Sequence, residues 1–268
     1  KNRGAAAARN TGMDAASGDY LWWVDPDDYI AEDAVFDLLH GLGDERPDII
    51  AFGHSEFVDN VPEKRYEHIP NMGYTTIQGM LNCIIIEEAE WGSLWRKLFR
   101  RGFLIENGIR STEGVSSEND LDFFVNMIGV EDAQIKNDYH CCYYLRMARP
   151  GSLANSKQDA VSHFKAADRY ISELEYTLSD RKQIMIEAAA GRIYSVVVHI
   201  AYGTAYNEQE ALQMLLKNKK EYTNILEASI KPHFKILGVL LNKSVRLTLL
   251  LFPPVRNVAK WRRKFSSR

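Results

Sequence analysis

Apolar residues recur along the chain with two different rhythms. Up to about Leu145, short apolar runs alternate with amphipathic stretches; from Asp159 on, the spacing is helical throughout. Residues 4–16 are alanine-rich and read as a helix, punctuated by Gly18. Tyr20-Leu21-Trp22-Trp23-Val24 reads as a buried strand and runs straight into Asp25-Pro26-Asp27-Asp28. Val35, Leu38 and Leu39 place a helix over 32–40, stopped by Gly41 and Gly43, and residues 48–53 form a second apolar strand. Strand, helix, strand is the signature of α/β organisation. Residues 57–58 and 66–69 are weaker strand candidates in a polar stretch.

Farther on, Thr76 can cap a helix through Met80, Leu81, Ile84 and Ile85. Ser93 can cap a short one holding Leu94, Trp95, Leu98 and Phe99. Ser116 or Ser117 can cap another that carries Leu121, Phe124, Val125 and Ile128 on one face. Residues 133–135 and 141–145 read as strands, and Pro150-Gly151-Ser152 closes the block. Helical patterns then cover 159–178, 183–206 and 208–228, followed by a polar-interrupted apolar stretch at 234–252. The expected layout is an α/β domain at 1–155, a helical subdomain at 156–230 and a basic amphipathic tail at 231–268.

With 268 residues, 46% of them hydrophobic and 26% charged, the chain is long enough for a substantial core. The net charge of −3 conceals an asymmetry: from Lys231 to the end there are ten Lys/Arg and no Asp or Glu. An acidic body with a basic, leucine-rich end argues against a nucleic-acid binder and suits attachment to an anionic surface. Cys83, Cys141 and Cys142 have no metal-type spacing, and reduced thiols in a cytoplasmic setting are expected. The 234–252 stretch is too polar to read as a membrane span and suits an interfacial helix at the inner face of a membrane. No signal peptide is visible, and the chain opens at Lys1 directly on a helix. We therefore expect an amino-terminally truncated sheet whose first strands lie upstream.

The acidic turn admits two readings. Pro26 fixes φ and ends strand pairing, so the acids sit on a rigid turn at a sheet's carboxyl end, where ligands of open α/β sheets bind. Such crowded carboxylates would be relieved by a divalent cation with a phosphate-bearing ligand. The alternative is a plain acidic turn in which Asp27 or Asp28 caps the following helix.

Other motifs shift this balance. Gly4, Ala8-Arg9-Asn10, Gly12, Ala16 and Gly18-Asp19-Tyr20, leading into Val24-Asp25-Pro26-Asp27-Asp28, resemble the central block of family two glycosyltransferases of the GT-A fold. In the same order follow Trp95-Arg96-Lys97-Leu98-Phe99, Asn119-Asp120-Leu121-Asp122-Phe123, and Tyr143-Tyr144-Leu145-Arg146 with Ser152. The resemblance implies a Rossmann-like GT-A sheet and the inverting transfer of a sugar from a nucleotide-sugar donor to a saccharide or lipid-linked acceptor. It also implies Mg²⁺ or Mn²⁺ at the leaving diphosphate. By that resemblance Asp27 would ligate the metal, Asp25 would share it or contact the donor ribose, and Asp28 would join the donor-binding set or else cap or hold the turn. Arg9 would lie on the donor side, as would Asn10, while Trp91 and Lys97 would face the acceptor.

The resemblance makes Asp120 the general base, with Glu118 as alternate. Asn119 stands where the family has Glu and cannot act as a base. Trp95 is expected in the core, and Lys97 either near an anionic acceptor or in an exposed salt bridge. Arg146 and Arg149 could reach a diphosphate, and His163 stands where some related enzymes place a metal ligand, although a lone histidine is more often structural. The QxxRW pattern of processive synthases is absent, which favours single addition in capsule-like surface polysaccharide synthesis. The rivals are a non-catalytic membrane-associated scaffold and another metal-dependent nucleotidyl or phosphoryl enzyme.

Overall fold

The alternation read at residues 20–53 becomes one mixed sheet. The computed structural model describes residues 3–58, 66–68, 73–88, 92–114, 119–147 and 159–251. They form two units, one ending within the sheet domain at Met147 and one beginning at Asp159.

In the first unit, α1 (Ala5–Ala15) leads to β1 (Tyr20–Trp22), the acidic turn, β2 (Tyr29–Ile30) and α2 (Ala34–His40). Then come β3 (Ile49–Phe57), β4 (Tyr66–His68) and α3 (Ile77–Leu81), which runs on as a π-helical turn, Asn82–Ile86. As the sequence suggests, Thr76 caps α3, its hydroxyl accepting from the Gly79 N–H at 3.1 Å. A 3-10 turn (Leu94–Arg96), β5 (Lys97–Arg100), α4 (Arg101–Glu106), α5 (Asn119–Val125) and β6 (Ile135–Arg146) complete the unit.

The strand order is β1-β5-β3-β6-β2, with β4 pairing β3. β3 and β6 run parallel and the other pairs antiparallel. β3 is central, and its first seven residues are buried without alternation, as a strand covered on both faces must be. On one face α2 lays Ala34 and Leu38 over Ile50, Phe52 and Leu98. Adjacent residues of a strand point to opposite faces, and the two tryptophans beside β1's end follow that rule. Trp22 meets Phe52 edge-on at 4.9 Å, and Trp23 meets Phe99 and Phe123 at 5.4 and 5.3 Å.

Two sequence expectations change here. Residues 97–100 form a strand instead of continuing a helix from Leu94, because β5 is clasped between β1 and β3, and pairing on both edges overrides local spacing. The two strands expected at 133–135 and 141–145 are one, β6, which begins only at Ile135. Its polar middle slips register against β3 around Gly53, which leaves Tyr139 and His140 exposed.

The second unit is helical: α6 (Ala160–Glu173), α7 (Lys182–Ala201), α8 (Glu208–Lys217), α9 (Lys219–Ala228) and α10 (Pro232–Lys243), then a helical stretch at 245–251. The single helix expected over 208–228 is broken at Asn218, and the expected 234–252 helix at Ser244. By length and composition α7 could cross a membrane (mean hydropathy 1.4), yet two thirds of it (67%) is buried among the other helices. Its buried Glu187 accepts from the Ser229 hydroxyl and the Ile230 N–H, each at 2.7 Å, so α7 serves as this unit's core helix.

Candidate active site

The turn after β1 is closed by the Asp28 N–H, which donates to the Asp25 carbonyl at 3.1 Å with Pro26 and Asp27 between. Proline favours the second position of such a turn because its φ is already set. The chain then enters β2, whose Tyr29 and Ile30 pair with Tyr144 and Tyr143 of β6. That pairing brings Asp28 against β6. One Asp28 oxygen accepts from the Tyr143 hydroxyl at 2.6 Å and the other from the Arg146 N–H at 2.8 Å. The Tyr143 hydroxyl also accepts from the Asp25 N–H at 3.1 Å. Asp28 thus holds the turn, and Tyr143, fully buried and stacked on Trp95 at 4.6 Å, is the post it is tied to. Burial, more than the bond to Asp28, pushes the Tyr143 phenol up from its usual range.

Asp120 lies in the first turn of α5, which Phe123 and Phe124 anchor in the core. One carboxylate oxygen forms an ion pair with Arg9 of α1 at 2.7 Å, and the other accepts from the Leu94 N–H at 3.0 Å. Arg9 is aimed there because its neighbour Asn10 is tethered. The Asn10 amide donates to the Ser111 carbonyl at 3.0 Å and accepts from the Ser111 N–H at 2.9 Å. Asp25 senses this group: burial chiefly, and then Asp120, push its carboxyl up to about 6, while Arg9 pulls it down and Asp28 and Asp27 push it up further.

Most of the residues singled out in the sequence therefore come together. Asp25, Asp27 and Asp28 share the turn, and Arg9 meets Asp120. Trp95 is buried in the core, edge-on to His54. Lys97 is displaced from the surface expected for it: it is fully buried in β5, its ammonium 4.9 Å from the Phe124 ring centroid and 3.4 Å from the Ser93 carbonyl. Arg146 contributes its backbone N–H to Asp28. His163 is buried in α6, its Nδ1 3.2 Å from Arg192 Nη1. Trp91, Glu118, Arg149, Ser152 and the basic end beyond Leu251 lie outside the described residues, as does the Asn119 side chain. Among the described residues no three His, Cys, Asp or Glu converge as a metal cluster.

The sequence reading missed Tyr143 as the group joining Asp25 to Asp28 and the Leu94 N–H as a support for Asp120. Tyr143 left a signal, since it sits in an aromatic strand within a quoted motif; a backbone N–H leaves none.

Residues 1–103 match the family model described as "Glycosyl transferase family 2". Over 170 residues the chain is 27% identical to the cholesterol galactosyltransferase of Borreliella burgdorferi, covering 58% of this chain and 45% of that one. It is 33% identical over 117 residues to the glycosyltransferase GlyA of Streptococcus pneumoniae, covering 38% of this chain and 16% of that one. The chain thus spans less than half the length of these curated relatives. The crystal structure of S. aureus TarS 1-349 in complex with UDP-GlcNAc superposes with a TM-score of 0.59 at 17% identity, covering 95% of this chain and 72% of that one. The fold is accordingly of the α/β GT-A type that the motifs imply.

Proposed function

We propose, from the match of residues 1–103 to the family model described as "Glycosyl transferase family 2", that the chain moves a sugar from a nucleotide-sugar donor to an acceptor hydroxyl, with inversion, in surface-polysaccharide synthesis. The observation that carries this reading is Asp120, clamped by Arg9 and the Leu94 N–H and electrostatically coupled to Asp25 on the turn. Each oxygen of a carboxylate has two acceptor sites. One contact to each leaves Asp120 with capacity to accept from a hydroxyl.

In the proposed step the acceptor oxygen bonds the anomeric carbon while the bond from that carbon to the diphosphate oxygen breaks. Asp120 takes the acceptor proton, and the nucleoside diphosphate leaves with the electron pair. Arg9 keeps the Asp120 carboxylate oriented for this transfer.

Asp25 and Asp27 would hold a hard divalent cation, Mg²⁺ or Mn²⁺, in the manner of sites that take one or two carboxylates and complete the shell with phosphate and water. The raised Asp25 fits that role, because burial first and then the neighbouring carboxylates disfavour its bare negative charge, which a cation would offset. Bound, the cation would neutralise charge on the departing diphosphate. Asp28 falls outside this donor set, its oxygens being bonded to Tyr143 and Arg146. The TarS complex with UDP-GlcNAc supports a uridine nucleotide, with a hexosyl or N-acetylhexosaminyl group, as the first donor to try.

Calorimetric titration of UDP into the protein, with and without Mn²⁺, tests the reading. Binding that requires Mn²⁺ and disappears in Asp25→Asn and Asp27→Asn is expected. Nucleotide binding indifferent to metal and to both substitutions would overturn it.

A further inference from the structure

The last described helices carry an apolar face that the described residues of the second unit leave exposed. On α10, Phe234, Leu237 and Leu241 are buried against the unit, and Val245 and Thr248 continue that inner face through 245–251. The opposite face holds Ile236 and Val239, half exposed, and then Leu247, Leu250 and Leu251, of which Leu250 is 67% exposed. Lys235, Lys243 and Arg246 lie exposed among them. At 3.6 residues per turn, Lys235, Ile236, Val239 and Lys243 fall on one side of α10. Ser244 interrupts the helix, and the next turn presents Arg246, Leu247 and Leu250 in the same alternation of base and aliphatic.

The described residues 231–251 carry Lys231, Lys235, Lys243 and Arg246 and no Asp or Glu. Lys219 of α9 adds a further base at the end of α10, its ammonium donating to the Asn242 carbonyl at 2.8 Å. Glu227 of α9 lies beside Gly238, where α9 packs against α10. The combination on these two helical stretches, exposed aliphatic side chains interleaved with Lys235, Lys243 and Arg246 and with no acid from residues 231–251, matches the boundary between acyl chains and anionic headgroups.

We infer that the outer face of α10 and of residues 245–251 is a docking surface for an anionic phospholipid bilayer. The helices lie in the interfacial plane, the aliphatic side chains enter the headgroup region, and the bases meet lipid phosphates. Neither term alone holds a protein stably at a membrane; an apolar anchor together with a basic patch does. This inference is independent of the reaction proposed above.

Co-sedimentation with vesicles tests it, using the whole chain with phosphatidylcholine vesicles and with phosphatidylcholine–phosphatidylglycerol vesicles. The chain is expected to pellet with the anionic vesicles and to stay in solution with the neutral ones. Two double variants probe the two terms, Val239→Asp with Leu250→Asp and Lys243→Glu with Arg246→Glu. All four side chains are exposed, so melting temperatures should match the unsubstituted chain and a loss of binding would not reflect unfolding. The aspartate pair should abolish binding, and the charge reversals should weaken it by about fivefold or more per base removed. Added salt should weaken it too. Failure of the unsubstituted chain to bind anionic vesicles, or binding by both variants at its level, would overturn the inference. So would an aspartate pair that dissociates a dimer in sedimentation equilibrium while vesicle binding persists, since a second copy would then be what covers the face.

Discussion

Tyr143 donates its hydroxyl proton to Asp28 at 2.6 Å, and the same oxygen accepts from the backbone N–H of Asp25 at 3.1 Å. One phenol oxygen therefore fixes both ends of the acidic turn. Tyr143→Phe keeps the ring and its stacking on Trp95 but removes both bonds. Losing a hydrogen bond to a charged group costs about 1.5–3 kcal/mol. We expect a destabilisation in that range by denaturant titration, together with weaker Mn²⁺-dependent nucleotide binding as the turn loosens.

Asp120→Asn separates chemistry from binding. The amide oxygen can still accept from the Leu94 N–H, which holds the side chain although the ion pair with Arg9 is lost, but the group can no longer take a proton. Sugar transfer should fall by a factor of about 10² or more while donor affinity stays within a fewfold. Wild-type turnover would refute the base assignment.

The raised Asp25 has a consequence for stability. Its carboxyl binds a proton more tightly in the folded chain, at about 6, than in the unfolded one. Between about pH 4 and that value the folded state holds more protons, so stability falls as pH rises through this window and the penalty is complete above it. Asp25→Asn removes the dependence and should stabilise the chain at neutral pH by about 1 kcal/mol, less than the full shift implies because the group is partly exposed and screened. Urea melts across this range, with and without the substitution, check the sign.

Arg9 pulls Asp25 down, so its removal should push Asp25 higher still. In Arg9→Met the acid limb of the pH–rate profile should move to higher pH, and turnover should drop because Asp120 loses the partner that orients it. A carboxyl titration followed by carbon NMR would record the first effect without any substrate. An Asp25 titration identical to that of the unsubstituted chain would show that the two do not communicate.

The sequence made the acidic turn, the Thr76 cap and the core placement of Trp95 readable, because each rests on local chemistry: a proline after a strand, a hydroxyl at a helix start, an apolar ring. The strand at Lys97–Arg100 was unreadable for the opposite reason. Leu94, Trp95, Leu98 and Phe99 are spaced as in a helix, and only the flanking strands β1 and β3 decide otherwise. The break at Asn218 was hidden similarly, since asparagine is compatible with either a continued helix or its end. Within the site, Arg9 and Asp120 are far apart in the chain. Their meeting depends on Asn10 reaching Ser111, a pairing that no periodicity encodes.

The stacking of Trp95 on Tyr143 makes the site optically visible. The Trp22 indole N–H donates to the Trp95 carbonyl at 2.7 Å, and its ring lies 6.3 Å from that of Tyr143. Two indoles thus share a phenol whose hydroxyl is bonded to the acidic turn. A change of charge at Asp25 or Asp28 would alter the field around both rings, so intrinsic fluorescence can report what binds at the turn without any label.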